Sequence, residues 1–242
     1  MKLVWSPGTA SKAYLDTVKS CELHHESGVA EVVSAMAAGK NARFIVETWS
    51  GGGATATSIG LAVASSHTKG RHVCIVPDER SRLEYMEALE EAGMSAEAIV
   101  GEADEVVKGL NDIDFMVVDS QRNDCSRILR VAKLSEKGAV LACKNTSSKT
   151  ASTFRWTSVV DETSHRVVRC VFLPVGKGLD IAHVASSGGN SGKAEKRWIK
   201  HVDRRSGEEH VIRRNTLLPK SVPVIVHPKN MAAHNGSKIS PT

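Results

Sequence analysis

The residues best suited to chemistry in this sequence follow its short apolar segments. The stretch TWSGGGATATSIG, residues 48–60, comes directly after the apolar segment 44–46 and Glu47. Its three glycines let the backbone turn sharply and approach a ligand with no Cβ in the way; they are Gly51, Gly52 and Gly53. A helix that begins after such a turn offers free N–H groups to an anion. This pattern is typical of a loop that holds a nucleotide-type cofactor.

Other polar residues stand near the ends of further apolar segments: Asp78, Glu102, Asp119, Lys144 and Asn145. Ligands of open α/β sheets bind outside the carboxyl ends of the strands, so these residues are expected to share one site. Residues 51–56 also satisfy the dinucleotide pattern G-x-G-x-x-G/A, with Asp78 as the acid that follows it. Three uses of the loop stay open: binding of an S-adenosylmethionine-type ligand, binding of a nicotinamide dinucleotide, or a purely structural turn.

The elements that must position these residues alternate between strand and helix. Apolar segments of strand length occur at 44–46, 72–76, 98–100, 115–119 and 139–143, and stretches of helical length at 8–22, 27–40, 54–66, 80–92, 103–110 and 125–134. Such alternation is typical of βαβ units and a parallel sheet. From His165, two further strands joined by residues 176–178 predict an antiparallel hairpin at the sheet edge. The sequence therefore predicts an α/β, Rossmann-like sheet, mostly parallel, with helices on both faces.

Residues 27–184 resemble class I S-adenosylmethionine-dependent methyltransferases, and most of all the cation-dependent O-methyltransferases that act on catechols and caffeoyl esters. The stretches that carry the resemblance are ARFIVETWSGGGATAT, EYMEALEEAGM, IDFMVVDSQ, ACKNT and VFLPVGKGLDIA. From SPGTASKAYLDTVKSCE to RWIKHVDRRSGEEHVIRR, the chain is also similar to a plant family of methyltransferase-like proteins without assigned function. The resemblance implies a methyltransferase-type sheet and S-adenosylmethionine (SAM) as the cofactor.

The resemblance assigns cofactor-binding positions, and two of them depart from the family pattern. Glu47, Gly51 and Gly53 keep family positions, with Gly52 between the two glycines, whereas Trp49 replaces the first glycine of the loop. Glu102 corresponds to the family's acidic residue near the adenine, which is usually Asp. The family's ribose-binding carboxylate at the end of the second strand is replaced by Val76, which cannot accept hydrogen bonds. Asp78, two residues later, is either a substitute acceptor or the N-cap of the next helix.

The resemblance also assigns the positions of the family's metal ion and general base. Asp119 and Asn145 match metal-binding positions, but Lys144 replaces the paired aspartate and Arg122 replaces the general-base lysine. A hard divalent cation needs several oxygen ligands, and a guanidinium stays protonated in proteins. We therefore expect no metal, an ion pair between Lys144 and Asp119 in its place, and a catalytic site that is altered or lost. Methyl transfer by proximity alone stays open.

The C-terminal region differs from the rest of the chain in charge. Residues 185–242 hold 11 of the 32 Lys and Arg residues and 4 of the 27 Asp and Glu residues, so they supply the whole net charge of +5. We predict a methyltransferase-like domain at 1–184, a linker and basic hairpin at 185–214, and a disordered tail at 215–242. The basic region could bind nucleic acid or an acidic protein. A non-enzymatic interaction module is thus an alternative function.

The five cysteines are scattered and form no C-x-x-C pair. A disulfide framework or a zinc site is therefore not expected. Three of the cysteines lie in apolar, strand-like segments and are interpreted as small buried hydrophobic residues: Cys74, Cys143 and Cys170. The N-terminus lacks the apolar segment of a secretory signal, and no stretch reaches the roughly 18 apolar residues of a membrane span. These features predict a cytoplasmic or nuclear protein whose partner is an unidentified small molecule or protein.

Overall fold

A computed structural model of the 242-residue chain describes residues 5–21, 28–49, 55–95, 97–120, 124–161, 163–187, 198–202 and 209–213. Contacts divide the chain into two compact units, Met1–Gly189 and Asn190–Thr242. The predicted disordered tail, residues 215–242, lies outside the described residues. Within the described part of the chain, no helix is both long and apolar enough to cross a membrane.

Strands and helices alternate through most of the first unit. The strands are β1 Phe44–Thr48, β2 Arg71–Val76, β3 Glu97–Val100, β4 Phe115–Asp119, β5 Ala139–Lys144, β6 His165–Leu173 and β7 Leu179–Ser186. The helices are α1 Pro7–Ser20, α2 Val29–Lys40, α3 Thr55–Thr68, α4 Glu79–Glu91, α5 Ala103–Gly109, α6 Cys125–Val131 and α7 Ser148–Thr153. A 3-10 turn covers Trp156–Ser158. The second unit contains β8 Trp198–Val202 and β9 Glu209–Arg213, which pair antiparallel in a sheet of their own.

The seven strands of the first unit form one sheet in the order β3-β2-β1-β4-β5-β7-β6. The first five strands are parallel, while β7 runs antiparallel to β5 and β6 antiparallel to β7. A register shift between Val167 and Arg169 interrupts the pairing of β6 with β7. The sequence-based prediction of a mostly parallel α/β sheet with an antiparallel edge hairpin is confirmed.

Each face of the sheet carries its own hydrophobic core. On one face, α1 to α4 pack against alternate strand residues such as Ile45, Cys74 and Phe115. On the other face, α5, α6 and the 3-10 turn pack against the intervening residues, such as Val46 and Met116. Burial of both faces explains why the central strands are uninterrupted apolar runs.

The helices α2 and α3 pack closely because Gly60, at their contact, has no side chain. A Cβ at Gly60 of α3 would lie 2.5 Å from the backbone oxygen of Ala30 in α2. Only glycine therefore allows α2 and α3 to approach this closely. This packing fixes α3, which follows the glycine loop, against the sheet.

Two helical elements differ from the sequence-based expectation. The helix α6 ends at Val131 rather than near residue 134. The helix α7 was not predicted, because SKTAST lacks an apolar periodicity. Its N-cap, Ser147, accepts a hydrogen bond from the backbone N–H of Thr150 at 3.1 Å, which satisfies one of the free donors of the first turn. This short helix follows β5, has no buried residue, and contributes Thr150 to the lining of a cavity that Cys143 of β5 also lines.

Candidate active site

Three charged side chains meet at the carboxyl ends of the central strands. Asp119 at the end of β4 is in register with Lys144 of β5, and Val117 is in register with Glu47 of β1. Because residues two apart on a strand share a face, Glu47, Asp119 and Lys144 all project on the α1–α4 side of the sheet. The structure thus brings together three of the predicted site residues.

Glu47 is buried and held by side chains from two other elements. The Tyr85 hydroxyl of α4 donates a hydrogen bond to Glu47 Oε1 at 2.9 Å, and His72 Nε2 of β2 lies 3.2 Å from the same oxygen. Burial by itself raises the pKa of Glu47, but the contact with His72 and the charge of Lys144 outweigh burial and lower the pKa. Glu47 is therefore ionised in the folded protein. Ser58 of α3 also lowers the pKa of Glu47, but neither its hydroxyl nor Glu47 Oε2 has a hydrogen bond of good geometry among the described residues.

Trp49 lies beside this carboxylate, with its ring turned into the core. Only 4% of its surface is exposed, and its ring meets the ring of Tyr85 edge to face at a centroid distance of 5.8 Å. The backbone N–H of Trp49 donates to the carbonyl of Ile75 at 3.0 Å, so the chain continues along β2 for one residue past β1. Trp49 thus belongs to the hydrophobic core between the sheet and the α1–α4 layer.

The end of β2 presents no acceptor at the position of the family's ribose-binding acid. Val76 is fully buried, and its carbonyl accepts a hydrogen bond from the N–H of Gly101 at 2.9 Å. Asp78 is exposed and caps α4, with Oδ1 accepting from the backbone N–H of Ser81 at 2.7 Å. That backbone hydrogen bond from Ser81 lowers the pKa of Asp78. Of the two interpretations of Asp78, the helix N-cap is the one that the structure shows.

Glu102 stands at the end of β3 and directly before α5. Its side chain is exposed and makes no capping hydrogen bond to the first turn of that helix. Its carboxylate therefore sits at the rim of the carboxyl edge, where the resemblance places the acid near the adenine. Four other predicted site residues, Gly51, Gly52, Gly53 and Arg122, lie outside the described residues.

The residues at the family's metal position make a different set of contacts. Asn145 has a left-handed backbone, with φ of +59°, and its Nδ2 donates to Asp119 Oδ2 at 2.8 Å. The expected ion pair is wrong: in the described part of the chain Lys144 forms no ion pair with Asp119, and its charge acts instead on the pKa of Glu47. Lys144 is only 4% exposed. No group of three or more His, Cys, Asp or Glu side chains among the described residues could hold a metal ion.

The loop after β5 is fixed by the turn of the edge hairpin. Thr146 N–H donates to the carbonyl of Gly178 at 3.0 Å. Gly178 has φ of +102°, and a Cβ there would overlap the carbonyl oxygen of Thr146. The hairpin glycine is thus required for the close approach that holds Lys144 and Asn145 in place.

A cavity of about 120 Å³ lies on the opposite face of the sheet, beneath α6 and α7. It is lined by Ser120, Cys125, Ser126, Cys143, Thr146, Thr150, Phe154 and Asp180. Burial raises the pKa of Asp180, which is 5% exposed. The Sγ atoms of Cys125 and Cys143 lie 3.8 Å apart, and this contact together with burial raises the pKa of the Cys143 thiol. Sequence reasoning missed the cavity, because its residues share no spacing pattern.

Comparison with models of known protein families identifies the family of this chain. A family model described as "Protein of unknown function (DUF1442)" matches residues 1–214. The chain belongs to the DUF1442 family. A search of curated proteins finds no match to this DUF1442 protein.

Solved structures show which fold the DUF1442 chain shares. A methyltransferase from Geobacter sulfurreducens is 20% identical, with a TM-score of 0.54 over 73% of this chain and 88% of its own. The O-methyltransferase TomG from Streptomyces achromogenes, involved in tomaymycin synthesis and solved with SAM, is 23% identical, with a TM-score of 0.52 over 76% and 92%. An O-methyltransferase from Bacillus cereus, solved with SAH, is 19% identical, with a TM-score of 0.51 over 75% and 93%. At these identities the similarity shows that the DUF1442 protein has the methyltransferase fold.

Proposed function

We propose that this protein is a SAM-binding, methyltransferase-like protein whose metal site has been replaced and whose methyl transfer is weak or lost. The observation that carries the proposal is Glu47: an ionised, buried carboxylate at the end of β1 with Oε2 unpartnered among the described residues. A buried acceptor without a donor costs roughly 1–3 kcal/mol. A ligand with an ammonium or hydroxyl donor above β1 would satisfy it.

The remaining groups at the carboxyl edge fit this cofactor in part. Gly51, Gly52 and Gly53 would let the backbone approach the ligand, and Glu102 is exposed at the rim near the end of β3. Val76 offers no acceptor to a ribose, and Oδ1 of Asp78 already accepts a hydrogen bond from the backbone N–H of Ser81 at the N-terminus of α4. When bound, SAM supplies an electrophilic methyl group. The missing acceptor at the end of β2 weighs against the ribose of SAM and that of a nicotinamide dinucleotide alike. SAM is preferred because solved structures with this fold were determined with SAM or S-adenosylhomocysteine.

The metal position does not fit a divalent cation. The Lys144 ammonium stands where the family has a carboxylate, so it removes an oxygen ligand and adds a repelling charge. Asn145 presents its amide nitrogen, not its oxygen, to Asp119. We therefore propose that the protein binds no catalytic metal. Methyl transfer at this edge would rest on the proximity and orientation of the two reactants.

Calorimetric titration of the full chain with SAM, with S-adenosylhomocysteine and with NADH, each with and without Mg²⁺, tests the proposal. We expect saturable SAM binding with a Kd below about 100 μM, corresponding to roughly 5.5 kcal/mol, unchanged by Mg²⁺, and no NADH binding. Glu47→Gln is expected to weaken SAM binding, and Val168→Ala, at an exposed position of β6, is the control. Absence of SAM binding would refute the proposal, and Mg²⁺-dependent binding would refute its metal-free part.

A second function, a non-enzymatic interaction module, is favoured by the separate sheet of β8 and β9 in a basic region. A chain lacking residues 186–242 tests it with a labelled single-stranded oligonucleotide as the probe. If this region is the interaction surface, the full chain binds with an affinity that falls as salt increases, and the shortened chain does not bind. Equal binding by both chains would exclude the basic region as the surface.

A further inference from the structure

Two of the five thiols are neighbours in the fold although they are distant in the sequence. Cys125 begins α6 and Cys143 lies in β5, and their sulfur atoms are 3.8 Å apart. A disulfide bond is about 2.05 Å long, so the two sulfurs need to approach by only about 1.8 Å. Both thiols are in the reduced form.

The pair is open to a small reagent because both thiols line the cavity beneath α6 and α7. The cavity volume of about 120 Å³ exceeds the roughly 30 Å³ that a water molecule occupies in the liquid. A peroxide molecule, with two oxygen atoms, therefore fits. The hydroxyls of Ser120, Ser126 and Thr150 also line the cavity and can hydrogen-bond to such a reagent.

The other three cysteines have different surroundings. Cys74 is buried on the opposite face of the sheet, near Glu47 and Tyr85. The Sγ atom of Cys21 lies 3.9 Å from the carbonyl oxygen of Ala56. The expectation that Cys170 is buried is wrong: it is exposed, because it lies on the edge strand β6. All five cysteines fall within the described residues, and among these the only thiol–thiol contact is that of Cys125 with Cys143.

We propose that Cys125 and Cys143 form a reversible dithiol–disulfide couple that peroxides oxidise. One thiol gives up its proton and its sulfur attacks an oxygen of hydrogen peroxide. An S–O bond forms and the O–O bond breaks, the departing hydroxide takes up the proton and leaves as water, and the sulfur becomes a sulfenic acid. The second thiol then attacks that sulfur, which forms the S–S bond and breaks the S–O bond, and the hydroxide leaves as a second water with the proton of the second thiol. Both sulfurs are oxidised and the peroxide is reduced. A small dithiol reverses the step by exchange.

The bond would have a local consequence at the candidate active site. Cys143 immediately precedes Lys144 and Asn145, and Ser120, which lines the same cavity, immediately follows Asp119. A disulfide would tie α6 to β5 and draw the cavity walls together below these residues. The modification is independent of the proposed SAM binding, since it needs only the two thiols and a peroxide.

Peptide mapping of the full, folded chain tests the proposal. The reduced chain is incubated with hydrogen peroxide, the remaining thiols are alkylated, and the peptides are identified by mass spectrometry without reduction. We expect a cross-linked peptide joining Cys125 to Cys143, loss of alkylation at both positions, and full recovery of both after dithiothreitol. In urea, where the contact is lost, the preference for this pair is expected to disappear.

Two variants sharpen the outcome. Cys170→Ser removes the exposed thiol and is expected to leave the cross-link unchanged. Cys143→Ser is expected to abolish the cross-link and to leave Cys125 as a sulfenic acid that dimedone traps. The proposal is overturned if Cys125 and Cys143 of the wild-type chain both remain alkylatable after Cys170 has been oxidised, or if the cross-link joins another pair. The wild-type result decides the question even if a serine variant fails to fold.

Discussion

Tyr85→Phe removes one oxygen from the core and leaves the shape of the ring unchanged. In the wild-type protein that hydroxyl is fully buried and donates to ionised Glu47 at 2.9 Å, while the ring packs against Trp49. A hydrogen bond to a charged group contributes about 1.5–3 kcal/mol. Because the aromatic contact persists, we expect the variant to lose about 2 kcal/mol of unfolding free energy at neutral pH.

The loss is expected to depend on pH in a defined direction. The folded-state pKa of Glu47 lies below its usual value of 4.5, so its ionisation stabilises the fold above that value and the stabilisation is lost as the pH falls through the folded pKa. Phenylalanine removes a donor that favours the charged form, so the variant is expected to have a higher Glu47 pKa than the wild type. The difference between the two proteins should therefore shrink as the pH falls from the folded-state pKa of Glu47 in the variant through the lower folded-state pKa of Glu47 in the wild type.

Urea unfolding followed by tryptophan fluorescence measures both effects, since Trp49 and Trp156 are buried in the fold. The matched control is Tyr14→Phe, at the only other tyrosine, which is 44% exposed on α1. Its expected cost is below about 0.5 kcal/mol. The reasoning is refuted if the two substitutions cost the same, or if the cost of Tyr85→Phe stays constant down to pH values where Glu47 is protonated.

Two further predictions concern the metal position and the packing of the helices. Lys144→Asp is expected to create measurable Mg²⁺ affinity by calorimetry, because it places a second carboxylate beside Asp119; no heat of binding would contradict the idea that the lysine displaces a metal. Gly60→Ala is expected to lower the unfolding free energy by about 1–3 kcal/mol, because its Cβ would lie 2.5 Å from the oxygen of Ala30. In contrast, Gly109→Ala at the last residue of α5 meets nothing within 4 Å. It is expected to gain about 0.4–1 kcal/mol, because alanine lowers the conformational entropy of the unfolded chain; equal effects in urea unfolding would contradict the packing argument.

The sheet could be predicted because its strands are buried on both faces. Segments such as 115–119 are apolar throughout, and their alternation with helices leaves few topologies. By contrast, α7 has only Ser, Thr, Lys and Ala in six residues, so its sequence carries no apolar stripe. The hydrogen bond of the Ser147 cap stabilises its first turn, and none of its residues is buried, so no apolar pattern could have predicted it.

The sequence predicts where in the sheet the candidate site lies, but not which side chains of the site contact each other. That Asp119 and Lys144 lie side by side follows from the parallel register of β4 and β5. The hydrogen bond that Asp119 accepts from Asn145 could not be predicted, because it depends on the left-handed backbone of Asn145, which brings the amide to Asp119. Partners that lie far apart in sequence, such as Tyr85 for Glu47 and Cys125 for Cys143, leave no spacing signal at all.

The register shift in β6 affects whether two copies of the chain can associate through the edges of their sheets in concentrated solution. A strand at the rim of a sheet offers unpaired backbone groups to the rim of a second molecule, which is a route to aggregation. Here the register shift between Val167 and Arg169 makes the backbone of the edge strand irregular. The exposed Arg166 and Arg169 also place two like charges along that strand. The opposite rim, β3, is only four residues long. Both ends of the sheet thus discourage strand-to-strand association between copies of the chain.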